Sequence, residues 1–261
     1  MIGFNKRDVR LAFNLLKMNI RDRYLGSSLG SFWAIANPLF MMGLYTFVFG
    51  FIFKVRLPGA QTTLDYVVWL ISGYGPWIAM TESIMATTTS VTGAVGIVKN
   101  MAFKSELLPI SAAFVGLISL SVSLCFLLIL MMFSGNQPSW HVLWLPFIIL
   151  VQFFFIISLG LWLSAINVFI RDLTQVLPSL LTMILFGTPI FYAMKNMPHL
   201  IQEISYANPF YQLSDAYRKV IVEHQNPNMQ GLIYIIILSS GIFFFGLAAF
   251  RRVKGSFDSA L

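Results

Sequence analysis

Charged residues are scarce in this sequence. Asp, Glu, Lys and Arg make up only 10% of its 261 residues, whereas 57% are hydrophobic and the mean hydropathy is +0.78. A soluble globule of this size needs more polar residues to cover its surface, so the composition excludes an ordinary soluble protein. We therefore expect an integral membrane protein.

Several kinds of site are missing as well. The single cysteine, Cys125, excludes a disulfide framework and a cysteine metal site. No glycine precedes a lysine, so the G-x-x-x-x-G-K-[ST] loop that cradles ATP phosphates cannot occur. The three histidines stand far apart in the sequence, which argues against a metal centre. We expect no catalytic residue, no metal site and no cofactor bound by this chain.

Six apolar runs are long enough to cross a bilayer, which takes about 20 helical residues. They lie at about 33–53, 66–85, 110–133, 143–168, 176–194 and 232–250. We predict a single all-α integral membrane domain over residues 1–261. Its parts are a cytoplasmic amphipathic interfacial helix within 1–31, a six-span bundle at 32–250 and a cytoplasmic tail at 251–261. The apolar segment 195–231, between spans five and six, predicts short re-entrant or interfacial helices.

The placement of basic residues predicts the topology. With the N-terminus inside, twelve of the 17 Lys and Arg residues fall in inner segments and five in outer ones. The outer ones are Lys54, Arg56, Lys195, Arg218 and Lys219. This asymmetry follows the positive-inside rule. We expect a multi-pass protein of the cell inner membrane, with both termini in the cytoplasm.

Residues 4–24 have the spacing of an amphipathic helix at a membrane surface. The polar positions are Arg10, Asn14, Lys17 and Arg21, the apolar stripe is Val9, Phe13, Leu16 and Ile20, and a second apolar group is Leu11, Leu15 and Met18. Two interpretations stay open for this helix. It is a basic anchor on anionic lipid, or a docking surface for a cytoplasmic partner.

Span two carries two features that are unusual for a membrane helix. The run Gly73-Tyr74-Gly75-Pro76-Trp77 predicts a kink or break near mid-membrane, because proline removes a backbone hydrogen bond and glycine weakens a helix. Glu82 is an acid inside a span, which makes it a functional candidate. Its expected position near the inner surface favours a structural or interfacial role over proton relay.

The junction between the basic helix and the first span has a recognisable pattern. It reads Arg23-Tyr24-x-Gly26-Ser27-x-Leu29-Gly30-x-x-Trp33, followed by Asn37-Pro38-Leu39. This pattern resembles the N-terminal signature of the permease subunit of ABC-2 type polysaccharide exporters, which carry O-antigen, capsule or teichoic acid chains. The resemblance continues in order through Phe103 and Glu106-Leu107-Leu108-Pro109, Arg171-Asp172, Asn208-Pro209 and Tyr217-Arg218.

The resemblance implies a homodimeric pore driven by two copies of a separate ATPase subunit, which binds the ATP and Mg²⁺. The implied substrate is a polyprenyl-pyrophosphate-linked polysaccharide, with O-antigen as the leading candidate, taken up from the cytoplasmic side. This chain would then be a transport subunit and not an enzyme. The segments 98–109 and 167–174 would face the ATPase, and the candidate coupling residues are Lys99, Phe103, Lys104, Glu106, Arg171 and Asp172.

Three further sets of residues receive roles in this interpretation. Basic side chains near the inner surface suit an anionic pyrophosphate head group, although positive-inside topology explains them equally well. These are Arg10, Lys17, Arg21 and Arg23, with Tyr24 beside them. A hinge is expected at Gly26, Gly30, Trp33 and Pro38, whereas Gly-x-x-x-Gly alone also suits close helix packing. The candidates for the pore or outer gate are Tyr45, Trp77, Glu82, Phe191, Tyr192, Tyr211 and Tyr217.

Other functions remain open at this point. An ABC-2 exporter of a drug or lipid would have a similar membrane domain, and capsule or teichoic acid are alternative cargoes. A membrane enzyme acting on lipid-linked sugars is a different class, and it would turn over its substrate without a partner. The chain lacks the acidic or His/Arg clusters that such an enzyme uses to handle a pyrophosphate and its metal.

Overall fold

The computed structural model describes residues 5–24, 28–55, 62–100, 103–194 and 197–257, with the backbone alone at 24, 99 and 100. All regular elements in these ranges are helical, which confirms the predicted all-α membrane class. The α-helices are α1 (Lys6–Tyr24), α2 (Phe32–Tyr45), α3 (Thr63–Thr89), α4 (Val95–Asn100), α5 (Leu107–Ala113), α6 (Leu117–Ser134), α7 (Leu145–Phe169), α8 (Leu173–Gly187), α9 (His199–Ala207), α10 (Pro209–Ile221) and α11 (Met229–Val253).

Four helical stretches in the described part are long and apolar enough to cross a membrane. Short π or 3₁₀ turns extend several of the α-helices; α2, for example, continues as a π-helix over Thr46–Ile52. The four stretches are Phe32–Ile52, Leu107–Ser134, Trp140–Phe169 and Met229–Ser256. They correspond to predicted spans one, three, four and six.

Predicted spans two and five differ from expectation. Helix α3 has 27 residues, but its composition is less apolar than that of the four spanning stretches. Helix α8 ends at Gly187 after 15 residues, which is about 22 Å at 1.5 Å per residue and shorter than the roughly 30 Å hydrocarbon core. The chain leaves the helix there because Thr188 adopts an extended backbone.

Helix α3 is the central pillar of the bundle. It packs against α5, α6, α7, α8 and α10, and every residue from 66 to 80 is buried. The helix is continuous through Pro76, so the expected break is absent. Close packing explains the small residues along it: the N–H of Gly116 donates to Ser83 Oγ at 3.1 Å, and a Cβ on Gly116 would lie 2.2 Å from the carbonyl oxygen of Ala79.

The two ends of the bundle have different contents. We call the end formed by α1, segment 103–106, turn 170–172 and the last turn of α11 the basic end. Ion pairs join Asp8 to Lys104 and Glu106 to Arg251, and the ring of Phe257 lies beside Phe169. The opposite end holds α9, α10 and the segment 188–194.

Two short helices occupy the segment where re-entrant or interfacial helices are predicted. Helix α9 is mostly exposed, with Leu200 and Ile204 at 68% and 63%. Helix α10 is buried along nearly its whole length and packs against α3, α7 and α11. Arg218, counted above among outer loop residues, is therefore a buried core residue, because α10 inserts between the long helices.

Candidate functional site

A cavity of about 700 Å³ runs beside α3 from the basic end towards the middle of the bundle. Helices α1, α2, α3 and α8 form most of its wall. At the basic end it begins at Met18, Asp22 and Arg23, and it reaches Tyr45 and Tyr74 on the far side. A cavity of this size holds a ligand of several rings.

An ion pair lies at the α1 side of the cavity. Arg23 Nη2 is 3.1 Å from Glu82 Oε1, and Arg23 Nη1 donates to Glu82 Oε2 at 3.4 Å. The hydroxyl of Ser119, on α6, donates a short hydrogen bond to the same Oε2. Glu82 thereby connects α1, α3 and α6. The acid predicted as a functional candidate lies in the cavity wall, with a guanidinium for a partner.

Several uncharged polar groups also line the cavity wall. Thr81 and Ser90 line it, and their hydroxyls donate to the carbonyls of Ile78 and Thr87 at 2.9 and 2.7 Å. Since their protons are used within α3, these hydroxyls face a ligand as hydrogen-bond acceptors. Asn37, which is exposed on α2, adds an amide that both donates and accepts.

Aromatic rings close the far side of the cavity. We call this group the aromatic cluster; its members are Tyr45, Phe49, Tyr74, Phe186 and Phe191. The ring of Phe191 stacks on Tyr45 at 4.9 Å and on Phe49 at 4.6 Å between centroids, and Tyr74 lies 4.7 Å from Tyr45. Offset rings of this kind fill space densely, so they separate the cavity from the opposite end.

The segment after α8 is held by hydrogen bonds to its carbonyl oxygens. Tyr66 donates its hydroxyl to the Phe191 carbonyl at 3.0 Å, and Arg218 Nη2 donates to the Ile190 carbonyl at 3.1 Å. We call these two contacts the carbonyl clasp. Non-helical backbone inside a bundle needs such partners, since an unpaired carbonyl there is unfavourable. The clasp thus fixes Phe191 in the aromatic cluster.

Arg218 is itself confined. Its side chain is 3% exposed, its Cζ lies 3.6 Å from the centre of the Trp69 ring, and a Cβ on Gly73 would lie 2.5 Å from its Nη2. Gly73 therefore provides the space for the guanidinium. The glycine pair also admits close neighbours: a Cβ on Gly75 would lie 2.6 Å from Ser123 Cβ. A kink at this pair stays a prediction.

A second polar group lies at the basic end. Glu106 is 1% exposed, accepts from Arg251 Nε at 2.8 Å and lies 3.6 Å from Lys254 Nζ. Burial opposes ionisation of Glu106, but hydrogen bonds from its own backbone and from Arg251, with the two positive charges, hold its pKa below the ordinary value. Lys104 Nζ lies 2.5 Å from Oδ2 of Asp8, which is on α1, and the hydrogen bond from this lysine lowers the pKa of the Asp8 carboxyl.

Most of the residues predicted to receive a head group do not reach the cavity. Arg23 lines it, whereas Arg10, Lys17 and Arg21 are exposed on α1 and are absent from its described wall. The side chain of Tyr24 lies outside the described residues. The basic helix therefore presents most of its charge outwards, and a single guanidinium faces inwards.

The predicted hinge is described only in part. Gly26 lies outside the described residues. Gly30 has a φ of +50°, a conformation that favours glycine, in the turn that leads into α2. Trp33 is 44% exposed, and Pro38 is buried within a continuous α2. These positions show a tight turn, and hinge motion stays a prediction.

The pore candidates separate into two groups. Tyr45, Trp77 and Glu82 line the cavity, and Phe191 backs it within the aromatic cluster. The others lie elsewhere: Tyr192 donates its hydroxyl to the Phe186 carbonyl at 2.8 Å, while Tyr211 and Tyr217 are buried in α10.

The coupling candidates all lie at the basic end in the described part. Phe103 packs in the apolar core at that end, Lys104 and Glu106 are ion-paired as above, and Arg171 and Asp172 are exposed in the turn before α8. The side chain of Lys99 lies outside the described residues. Contact with an ATPase stays a prediction for all of them. Because the carboxylate of Glu106 is buried, it positions the loop and does not present itself on the surface.

Sequence reasoning missed several residues of the site, of which three are instructive. Tyr74 was considered only as part of a helix-breaking run, Ser119 was not singled out, and Arg218 was assigned to the outer segment of short re-entrant or interfacial helices. A signal for Arg218 existed, because the positions around it in α10 are largely apolar. No local signal marked Ser119, whose role depends on the approach of α6 to α3.

Comparison with known proteins agrees with this architecture. The family model described as "ABC-2 type transporter" matches residues 10–222. The O-antigen export system permease protein RfbA of Myxococcus xanthus is 26% identical over 253 residues, covering 96% of this chain and 95% of that protein. A protein of the same name from Klebsiella pneumoniae is 26% identical over 246 residues, covering 93% and 92%. Since the family match spans most of the chain, this protein belongs to the ABC-2 type transporter family.

Proposed function

We propose that this chain is the channel-forming membrane subunit of an ATP-driven exporter of a lipid-linked polysaccharide, with O-antigen as the first cargo to test. The observation that carries the proposal is the cavity, which begins at the basic end and is closed on its far side by aromatic rings. The hydroxyl and amide groups in its wall, together with the aromatic rings, suit sugars. The names of the relatives, O-antigen export permeases, support the same cargo.

The energy source lies outside this chain in the proposal. ABC-2 permeases work with an ATP-binding partner, and the sequence has no phosphate-binding loop. Two ATPase subunits would dock on the basic end of a homodimer, contacting α1, segment 103–106 and turn 170–172. The apolar α2 exposes Phe40 and Leu44 at 76% and 52%, a face that is compatible with a second copy and equally with lipid.

The topology follows from the same proposal. The chain would cross the inner membrane six times, with α3 as a crossing shielded by its neighbours and α8 as a short fifth crossing completed by segment 188–194. Helices α9 and α10 would be the outer helices, with α10 re-entrant. Both termini would then lie in the cytoplasm, where the basic end meets the anionic inner leaflet.

Deletion and complementation test this function. Loss of the gene is expected to abolish surface polysaccharide, and an ATP-binding subunit is expected to co-purify with the protein. Tyr45→Ala, which removes a ring from the cavity wall, should lower export at equal membrane abundance. Phe245→Ala is the matched control, because that ring is 73% exposed on α11 and is absent from the described cavity wall.

Two outcomes would redirect the proposal. Intact surface polysaccharide together with a lost drug or lipid efflux would favour the alternative cargo of an ABC-2 exporter. Turnover of a lipid-linked sugar by the purified chain without any partner would favour a membrane enzyme.

A further inference from the structure

The Arg23–Glu82 pair has the geometry of a binding site that is already occupied. Two guanidinium nitrogens face two carboxylate oxygens, at 3.1 and 3.4 Å. This fork-to-fork arrangement is the one in which arginine also binds phosphate, since the two anions present similarly spaced oxygens. The Arg23 side chain is 33% exposed and that of Glu82 is 13% exposed, so a ligand in the cavity can reach both.

The charges along the cavity make this pair decisive for an anionic ligand. The charged residues in its described wall are Asp22, Arg23 and Glu82, one cation against two anions. With the pair closed, an arriving anion meets two carboxylates and an arginine whose charge is already balanced. An anion can therefore bind the two guanidinium nitrogens that face Glu82 only by taking the place of that carboxylate.

We propose that Glu82 holds the position at Arg23 that a phosphate or pyrophosphate group of the lipid-linked substrate takes when it binds. This inference rests on the proposed function, and it adds how the site controls access. The exchange leaves Glu82 with a partner, because the hydroxyl of Ser119 already donates to its Oε2. Retaining that hydrogen bond lowers the free energy needed to release the carboxylate.

The exchange has a mechanical consequence. Arg23 lies in the last turn of α1, and Glu82 lies in the central helix α3. Anion binding at Arg23 therefore breaks a connection between the surface helix and the pillar. The other end of α1 is tied to the loop before α5 by Asp8 and Lys104. Occupancy of the cavity is thus transmitted along α1 to the surface where the ATPase is proposed to dock.

The test measures binding of undecaprenyl pyrophosphate to the full-length protein in phosphatidylcholine nanodiscs. Glu82→Gln removes the competing carboxylate from Arg23 without changing the size of the side chain, so the Kd for the probe should fall by on the order of tenfold. Arg23→Gln should raise Kd by a similar factor, and Arg23→Lys should recover part of the loss. The double variant should bind as weakly as Arg23→Gln alone, because Glu82 acts only through Arg23.

Asp22→Asn is the matched charge control. It removes one negative charge from the same cavity wall without touching the pair, so it should tighten binding less than Glu82→Gln does. If Glu82→Gln weakens binding as Arg23→Gln does, the pair is structural and the proposal is overturned. An equal fall in Kd for Asp22→Asn would also overturn the proposal, since the loss of any negative charge from the cavity wall would then explain the tighter binding. Size-exclusion profiles and Tm values exclude misfolding as the reason for weak binding.

Three further probes separate the source of the anion. Undecaprenol has the same tail but no phosphate, so all variants should bind it with the same Kd. If the variants differ in Kd for undecaprenol as they do for undecaprenyl pyrophosphate, the proposal is overturned. Competition by inorganic pyrophosphate alone at equal affinity would identify a free-anion site instead. Phosphatidylglycerol nanodiscs that abolish probe binding would identify a membrane-lipid site. Both results contradict a substrate site.

The inference and the proposed function fail in different ways. If all variants bind the probe equally while surface polysaccharide still depends on this gene and an ATPase still co-purifies, only the inference fails. If deletion of the gene leaves surface polysaccharide intact and no ATPase co-purifies, the proposed function fails first, whatever the variants do.

Discussion

Among the described residues, each end of the bundle buries one charged side chain, and the two are stabilised differently. At the basic end, Glu106 is 1% exposed and faces two cations, Arg251 and Lys254. At the opposite end, Arg218 is 3% exposed, donates to the Ile190 carbonyl and lies over the ring of Trp69. The carboxylate at the basic end has two cations within 4 Å. The guanidinium at the opposite end donates to a neutral carbonyl and lies on a π-face, and the carboxylates of Asp215 and Glu223 also favour its charge electrostatically.

The difference shows how each end can respond. Ion pairs depend on pH and salt, and a competing ion can open them. A guanidinium stays charged across the physiological range, and neutral partners do not dissociate from it when acid or salt is added. Changes in pH or salt can therefore weaken the ion pairs of the basic end, whereas the carbonyl clasp opens only when the helices themselves move.

The largest expected effect comes from Arg218→Ala. Truncation leaves the Ile190 carbonyl without its donor and empties the space beside Trp69, so it should lower the free energy of unfolding by about 2–5 kcal/mol. Loss of one of the two contacts of the clasp should also loosen the segment that carries Phe191 and permit leak through the bundle, although Tyr66 still holds the Phe191 carbonyl. Thermal unfolding in detergent and dye leakage from proteoliposomes measure the two effects.

Arg218→Met is the control that separates packing from charge. It fills much of the space and removes the desolvation penalty, so its stability loss should be smaller than that of Arg218→Ala, while the leak should persist. If the Arg218→Met variant leaks no more than the native protein, Arg218 only fills volume. The contrast between the two ends of the bundle would then be unsupported.

The intermediate effect concerns Glu106 and depends on pH. Glu106→Gln removes two ion contacts and keeps the shape, so it should cost about 1–3 kcal/mol at neutral pH. Because the folded pKa of Glu106 lies below the ordinary 4.5, the stabilisation is present above that pH and is lost as pH falls through the folded value. The Tm of the native protein should therefore decline more steeply in acid than that of the variant.

Arg218→Met serves as the reference for this comparison, because Arg218 stays charged throughout the acid range. Its Tm should fall with acid in parallel with the native protein. A Glu106→Gln profile as steep as the native one would mean that other carboxylates dominate the acid response.

The smallest effect is expected for Asp8→Asn. This carboxylate pairs with Lys104 at the surface, and solvent and salt weaken such a pair. Its Tm should drop less than that of Glu106→Gln, and the drop should shrink further in high salt. A salt-insensitive loss larger than that of Glu106→Gln would show that the basic end is held together at α1 and not at α11.

Helices α2 and α3 show what the hydropathy pattern predicts and what it misses. Both were predicted as spans from their apolar runs. Residues 66–80 of α3 are buried without interruption, whereas only 17% of the best window in Phe32–Ile52 is buried. Hydropathy reports transfer from water, and lipid and protein interior are nearly equal by that measure, so the pattern cannot tell a pillar from an outer helix.

Helix α1 makes the same point for an amphipathic segment. Two apolar groups were visible in its sequence, and both suit burial. In the structure Leu15 is 5% exposed against the bundle, while Val9 and Phe13 are 66% and 67% exposed. Side-chain spacing defines two stripes, but packing against α5 and the core at the basic end decides which stripe is buried.

Local sequence patterns are sufficient to predict the membrane class, the helical fold, four of the spans, the presence of short helices between spans five and six, and the family. These depend on local quantities: the length and apolarity of runs, helix-starting prolines and ordered motifs along the chain. Tertiary structure alone decided that Arg23 pairs with Glu82, 59 residues away, and that Arg218 lies under Gly73. Such contacts depend on which helix faces meet, and that is set by packing of the whole bundle and not by any segment in isolation.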